Sequence, residues 1–287
     1  MISVVVPALN ECDAIVGTID RVRLVLSRAG LEPFEIVLVD DGSTDGTGDL
    51  ARAAGAKIIT HPHNVGYGRS LKDGITSAQY DTIVITDADG SYPIEEIPAL
   101  IERYRAGFDM VVGARTGEHY RESAFKSPLR AILKRIVEFT ANRHIPDINS
   151  GLRVFSRSTS MKFFNHTSDT FSFTTSLTLA YMMNAKFVGY HEIDYHERVG
   201  HSKVRLFRDS VRTLQYIVEA ATYYNPLKIF FLFGLICLVL AFISIVGGLV
   251  LQLLSAFVLG VGAILLAILV FAMGLLAVLL KQIMDRS

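Results

Sequence analysis

No charged residue stands between Lys228 and Lys281. That uncharged stretch constrains the fold more than any other feature of the chain. It divides into two apolar runs, Leu227–Leu251 and Ala256–Leu280, separated only by Gln252 to Ser255. Each is long enough to cross a bilayer with some tilt, so a tight transmembrane hairpin is expected. A buried hairpin in a water-soluble core is the other reading, and two continuous apolar helices of this length argue against it. Lys228 opens the hairpin, Lys281 and Arg286 close it, and the connector is uncharged. The positive-inside bias then places the connector outside and both ends in the cytoplasm. The expected location is an integral membrane protein, the cell membrane in a prokaryote, with the large domain on the cytoplasmic face.

The part before Leu227 has the composition of an ordinary soluble domain, and about two hundred residues suffice for one sizeable core. Lys and Arg together number 28, as do Asp and Glu, so there is no basic excess of the kind that marks nucleic-acid binding. Of the two cysteines, Cys12 falls in a loop and Cys237 in an apolar run, which excludes a disulfide framework. Met1 leads at once into strand-like Ile2–Val6, so no signal peptide is expected. No internal repeat is visible.

Strand-like runs occur at Ile2–Val6, Glu35–Val39, Lys57–Thr60, Thr82–Thr86 and Asp109–Gly113. Helical patterns fill the gaps, at Asp13–Ala29, Thr47–Ala54, Arg69–Ala78 and Pro93–Ala106. This alternation predicts an α/β domain with an open parallel sheet covered on both faces. Pro93 suits a first helical turn, Glu95 and Glu96 its positive end, and Gly107 its stop.

The loops after these strands carry the chemistry. Pro7-Ala8-Leu9-Asn10-Glu11 comes after the first strand, Asp40-Asp41-Gly42-Ser43-Thr44-Asp45-Gly46-Thr47 after the second, and His61 to Arg69 after the third. The fourth, Thr82-Ile83-Val84-Ile85-Thr86, ends in Asp87-Ala88-Asp89. In an open parallel sheet these loops gather at the carboxyl edge, where ligands bind. Turn and cap chemistry explains part of the Asp-Gly-Ser-Thr-Asp-Gly run. It does not require acidic residues at successive strand ends. Two carboxylates spaced i, i+2 at the end of a buried strand are poor core material. With substrate phosphates they form the oxygen-rich site that Mg²⁺ or Mn²⁺ prefers. Neither a dinucleotide fingerprint nor a Walker loop comes after the first strand.

Past Gly113 the alternation stops. Arg115, Arg121, Lys126, Arg130, Lys134 and Arg135 form a basic, partly helical segment. Pro146 to Phe155 reads as a turn entering a strand, and Phe171–Thr175 precedes a helix to about Asn184. Lys186–Tyr190 and Glu192–His196 read as a strand pair, and Arg198 to Lys203 as a short basic loop. From Lys203 to Tyr224, Val204, Phe207, Val211, Leu214 and Val218 recur near helical spacing against Arg205, Arg208 and Arg212. Packing on its own domain is one reading of this helix; its place before the apolar runs favours a membrane interface.

Pro7-Ala8-Leu9-Asn10-Glu11, Val39 to Thr47, Asp87-Ala88-Asp89 and Asn149-Ser150-Gly151-Leu152-Arg153 together resemble glycosyltransferase family 2, which has the GT-A fold. The closest branch is the polyprenyl-phosphate glycosyltransferases similar to dolichol-phosphate mannose synthase. The resemblance covers about residues 1–205, and the hairpin matches membrane-anchored members. It implies a Rossmann-like, mostly parallel sheet with helices on both faces as a cytosolic catalytic domain at 1–202, an amphipathic interfacial helix at 203–226, and a transmembrane hairpin with a short tail at 227–287.

It also implies inverting, metal-dependent transfer from a nucleoside-diphosphate sugar to a polyprenyl phosphate, with a UDP-sugar favoured and GDP-mannose the alternative donor. Asp89, with Asp87 nearby, would hold Mg²⁺ or Mn²⁺. Relatives often carry Gln as a further ligand where this chain has Ser91, a weaker ligand whose shell water would complete. Pro7, Ala8, Asn10, Glu11, Asp40, Asp41, Asp87, Ala88 and Lys203 fall on the donor side, with Asp40 open to a structural role instead. Arg69 and Lys72 are expected to face solvent. Arg115, Arg130 and Arg198, with Lys134 one turn after Arg130, would receive the acceptor phosphate. The same cations would suit an anionic lipid surface. Homo-oligomerisation is compatible with the sequence.

Two other readings compete. A transferase with a sugar-hydroxyl acceptor needs a base, and Asp147 is the candidate; processive members, however, carry Gln-x-x-Arg-Trp, and this chain has no Trp. A non-catalytic, membrane-anchored nucleotide-sugar binder is the second, and the intact Asp pair argues against it.

Overall fold

The computed structural model describes residues 1–116, 143–196 and 225–284, with helical positions 135, 137–139, 141, 215, 218, 219 and 222 between them. The chain forms two compact units, Met1–Ile217 and Val218–Ser287. The amphipathic segment beginning at Lys203 lies almost wholly outside the described residues.

The first unit runs β1 (Ile2–Ala8), α1 (Ile15–Arg28), β2 (Phe34–Asp40), α2 (Thr47–Ala53), β3 (Lys57–Thr60), α3 (Tyr67–Ser77), β4 (Thr82–Ile85), α4 (Ile97–Arg105) and β5 (Met110–Thr116). It continues with β6 (Arg153–Ser156), α5 (Arg157–Met161), α6 (Phe173–Met183) and β7 (Val188–Asp194). The seven strands form one sheet in the order β3-β2-β1-β4-β6-β5-β7.

Strand alternation builds two cores from one sheet. Val4, Val6, Leu38 and Val84 point to the side covered by α1 and α4, while Val5, Val37, Ile83 and Ile85 point to the side covered by α3 and α6. Helix α1 shows how the sequence specifies this. Ile15, Ile19, Val22 and Leu26 fall on one stripe at helical spacing, and all four are fully buried. Each contributes roughly 1.5–3 kcal/mol by burial, and Ile19→Ala would cost about 2–5 kcal/mol through the cavity it leaves. Between β4 and α4, Ile94–Glu96 forms a 3-10 turn rather than α-helix, and Gly107, at φ +109°, ends the element as expected.

The mostly parallel sheet is as expected: the one exception is β6, which runs antiparallel to both β4 and β5. The residues preceding β6 therefore meet the carboxyl ends of its neighbours. One expectation is corrected. The expected pair at Lys186–Tyr190 and Glu192–His196 is one strand, because β7 pairs with β5 without a break from Val188 to Asp194. His191 carries no turn signal strong enough to interrupt a ladder of that length.

In the second unit, α7 (Pro226–Val250) and α8 (Leu254–Met284) form a helical hairpin turned at Gln252, which has φ +54°. Asn225 caps α7 through Lys228 N–H, with Pro226 in the first turn. Small residues recur every seventh position, as Gly234, Ala241 and Gly248 on α7 and Gly260, Ala267 and Gly274 on α8. They let the helices approach closely. A Cβ on Gly260 would lie 2.9 Å from the Ala241 carbonyl, and one on Gly248 2.7 Å from Phe257 N. The outward residues are large and apolar and remain exposed, Phe242 and Leu249 among them. Both helices are long and apolar enough to cross a membrane, and hydrocarbon is the solvent that such a surface matches.

Candidate active site at the carboxyl edge of the sheet

Strands β1 to β4 are parallel, so the segments after them meet at one edge, as their order in the sequence predicts. Hydrogen bonds join each segment to the next. Ala8 C=O accepts from Asp41 N–H at 2.9 Å. Asn10, in the left-handed region at φ +50°, donates its N–H to Ser43 Oγ and accepts at Oδ1 from Thr44 N–H, both at 2.9 Å. Glu11 N–H donates to Thr47 Oγ1, and Cys12 N–H to Asp45 Oδ2. Burial pushes the Asp45 carboxyl up, but hydrogen bonds from Thr47 and Cys12 outweigh it and bring the pKa down to about 2.

The acidic residues after β2 serve this framework. Asp40 Oδ1 accepts from Ser43 N–H at 2.9 Å, and its other oxygen lies against Gly48. Of the two roles open to Asp40, the turn is the one these contacts support. Asp41 is buried and accepts from Val65 N–H, Gly66 N–H and His61 Nδ1, at 2.9, 3.0 and 2.8 Å. It ties the end of β2 to the loop after β3. The other His61 nitrogen lies 3.2 Å from Asp73, which also pairs with Arg69.

Arg69 is exposed, as expected, but Lys72 is not. Its side chain is 13% exposed, and Nζ donates to Phe164 C=O, Thr167 C=O and Asp169 Oδ1 at 2.9, 2.7 and 2.6 Å. The cation fastens the 164–169 segment to α3, a role that helical spacing alone does not reveal.

The Asp pair continues β4. Tyr67 OH donates to Asp87 Oδ1 at 2.9 Å. Burial, then the neighbouring Asp87 charge, push the Tyr67 phenol well up, so it stays a donor. Gly151 also lies against this carboxylate. Asp89 is 4% exposed, and its Oδ1 accepts from Ser91 N–H at 3.0 Å and Ser91 Oγ at 2.5 Å. Ala88 C=O accepts from Thr18 Oγ1 of α1 at 3.0 Å. Both carboxylates are thus oriented by neighbours rather than left to solvent. Two hard oxygen donors at i, i+2 fit Mg²⁺ or Mn²⁺ and lack the nitrogen or sulfur that zinc sites favour. Among the described residues there is no group of three or more His, Cys, Asp or Glu that could hold a metal ion.

The turn before β6 closes the edge. Tyr92 OH accepts from Gly151 N–H at 2.6 Å. Asp147, 2% exposed, receives Arg115 Nε at 2.7 Å and Nη2 at 3.0 Å. Burial raises the Asp147 carboxyl, but the Arg115 charge and hydrogen bonds more than offset it, and the net direction is down. The Arg115 guanidinium also lies 5.3 Å from the Tyr195 ring, an arrangement that favours a cation.

The structure therefore gathers Pro7, Ala8, Asn10, Glu11, Asp40, Asp41, Asp87, Ala88, Asp89, Ser91 and Arg115 along one edge. Arg130, Lys134, Arg198 and Lys203 lie outside the described residues. Tyr92 was not singled out by sequence reasoning, and His61, Tyr67 and the buried Arg153 were given no role of their own. His61 and Tyr67 stood only within the loop after β3, Tyr67 between Gly66 and Gly68 at the start of a helix, and Arg153 only as the end of the Asn149–Arg153 motif.

Residues 3–164 match the family model described as "Glycosyl transferase family 2". An undecaprenyl-phosphate 4-deoxy-4-formamido-L-arabinose transferase of Aeromonas hydrophila is 30% identical over 163 residues, covering 55% of this chain and 49% of that protein. The protein of the same name from Klebsiella pneumoniae is 30% identical over 162 residues, covering 54% and 49%. The chain thus spans about half the length of these relatives. Among solved structures, glucosyl-3-phosphoglycerate synthase from Mycobacterium tuberculosis, in complex with Mn²⁺, UDP and glucosyl-3-phosphoglycerate, aligns with a TM-score of 0.63 at 20% identity, covering 77% of this chain and 80% of that one. The same enzyme with Mg²⁺ and UDP gives 0.63 at 20% identity, covering 77% and 79%. At that identity the likeness concerns the fold, which is of the GT-A type.

Proposed function

Because the chain belongs to glycosyl transferase family 2, we propose that it is an inverting transferase that moves a sugar from a nucleoside-diphosphate sugar to a polyprenyl phosphate at the cytosolic face of a membrane. The observation that carries this reading is the oriented Asp87–Asp89 pair, bordered on one side by the donor loops and on the other by Arg115. The relatives named for undecaprenyl phosphate agree with the acceptor class. The solved neighbours, holding UDP with Mn²⁺ or Mg²⁺, agree with a UDP-sugar donor over GDP-mannose.

Asp89, supported by Ser91 and with Asp87 beside it, would hold Mg²⁺ or Mn²⁺. Bound there, the ion would offset charge on the diphosphate leaving group. The loops carrying Pro7, Ala8, Asn10 and Glu11 would orient the nucleotide, with Asp41 holding their shape through Ala8. Lys203 remains assigned to the donor side by family resemblance.

A phosphate monoester has a second pKa near 6 and is already largely anionic in the cytosol. It needs no base. It needs cations to reduce the repulsion between two approaching anions, a role assigned to Arg115, Arg130, Lys134 and Arg198. A sugar-hydroxyl acceptor would need a base, and Asp147 is poorly suited to that role: it is buried, paired with Arg115 and held in its charged form. The proposed organisation keeps a catalytic domain at 1–202, an interfacial helix at 203–226 and a membrane hairpin at 227–287.

The test is release of nucleoside diphosphate by purified protein given a panel of nucleotide sugars, with and without polyprenyl phosphate. Mass spectrometry then identifies the glycolipid. Lipid-dependent release supports the reading; release that ignores the lipid, or none with any donor, overturns it.

A further inference from the structure

Among the described residues, Arg153 is the largest fully buried side chain. It lies on β6, opposite Ile85 of β4 and Val112 of β5. Its guanidinium donates from Nε to Ser150 C=O at 2.7 Å and from Nη2 to Ile148 C=O at 3.0 Å. Nη1 donates to Thr174 C=O at 2.9 Å and Thr178 Oγ1 at 2.5 Å, both on α6. Among the described residues every one of these oxygen acceptors is neutral. Burying a cation without a paired carboxylate is costly, and a core Leu or Met would serve packing alone. What the guanidinium provides that they do not is a rigid fork of donors.

Two arms of that fork grip the turn before β6, which touches both halves of the edge. Asp147 accepts from Arg115 on the acceptor side. It also accepts the N–H of Asn149, whose side chain is bonded by Thr175 Oγ1 of α6. Gly151, at the other end of the turn, lies against Asp87 on the donor side and gives its N–H to Tyr92. We infer that Arg153 is a positioning residue which, by clamping the Ile148–Gly151 turn to α6, sets the place of Asp87 and of Arg115 together. Donor-side and acceptor-side geometry then depend on one side chain that touches neither substrate. The inference rests on the proposed function for what each side binds.

The test uses the full-length protein in nanodiscs and three variants. Arg153→Lys keeps the charge and loses the fork. Thr178→Val keeps Arg153 and the helix volume but removes one acceptor. Leu177→Ala leaves a core cavity in the same helix without touching the hydrogen bonds to the turn. The measurements are Mn²⁺–UDP affinity by calorimetry, the KM for polyprenyl phosphate, and amide exchange at Arg115, Asn149 and Gly151. Arg153→Lys and Thr178→Val are expected to weaken both constants at least fivefold, by matching factors, and to speed exchange at all three amides. Leu177→Ala should lower the Tm and leave both constants within twofold. The inference is overturned if folded Thr178→Val leaves exchange and both constants unchanged, if one constant moves alone, or if Leu177→Ala moves them equally. Should Arg153→Lys not fold, Thr178→Val decides. A wild type without lipid-dependent turnover would count against the proposed function instead, and amide exchange with Mn²⁺–UDP affinity would still test the clamp.

Discussion

Gly151→Ala would displace the first carboxylate of the pair without removing it. A Cβ at Gly151 would stand 2.9 Å from Asp87 Oδ1 and 3.1 Å from both Cγ and Oδ2. Comfortable contact needs about 3.5 Å or more, so the carboxylate must retreat by roughly half an ångström. Gly151 does not have φ in the left-handed region, so crowding is the cause and backbone strain is not. Retreat distorts the 2.9 Å Tyr67 hydrogen bond, which is made to the same Oδ1 that the Cβ crowds most. A hydrogen bond to a charged group is worth about 1.5–3 kcal/mol, and a side chain forced off its rotamer costs about 0.5–1.5 kcal/mol. If half of that total reaches the ligand, Mn²⁺–UDP affinity falls about 10-fold, and turnover falls with it. Calorimetry on folded protein reads the affinity, with Gly17→Ala as the control, because a Cβ there meets nothing within 4 Å. Unchanged affinity in Gly151→Ala, within twofold, would refute the claim that Asp87 acts from this position.

Asp89→Ala should abolish transfer and Mn²⁺ binding, and chelator should silence the wild type until Mg²⁺ or Mn²⁺ is restored; Ser91→Ala should weaken metal binding about 10-fold by freeing Asp89, and full activity in chelator would sink the assignment. Asp45 has a folded pKa near 2, below the ordinary value of about 3.9. Its contribution to stability is therefore complete above about pH 4 and lost as pH falls towards 2. Asp45→Asn should flatten that limb of a Tm–pH curve, by a small amount because the site is exposed. Arg130→Ala and Arg198→Ala should cut lipid-dependent turnover at least tenfold, about 1.4 kcal/mol, with donor affinity little changed for Arg130→Ala; loss of donor binding there would move that residue to the nucleotide side. Added protease should spare the large domain in sealed right-side-out cells and digest it in inverted vesicles, and the reverse pattern would overturn the cytosolic assignment.

Much of the molecule was legible in the residue order. Apolar runs bounded by Gly, Asp and Asn marked β1 to β4, and a parallel sheet obliges the loops after them to share an edge. The hairpin was legible because no charge interrupts it. These are local properties, since periodicity and composition act within a few residues and need no partner. The break in parallel order at β6 was not legible, because a four-residue strand carries no mark of its direction. Nor was the division of labour among the carboxylates. Asp40, Asp41, Asp45, Asp87, Asp89 and Asp147 are alike in sequence. What separates them is whether backbone N–H groups, Arg115, Tyr67 or Ser91 meet their oxygens, and those partners stand two to 33 residues away. The sequence by itself determined the α/β alternation, the edge and the apolar hairpin. Only the tertiary structure decided that Lys72 is a half-buried fastener, that Asp147 is a paired anion, and that Arg153 joins the turn before β6 to α6. Hydrogen bonding and desolvation depend on neighbours, and chain folding chooses the neighbours.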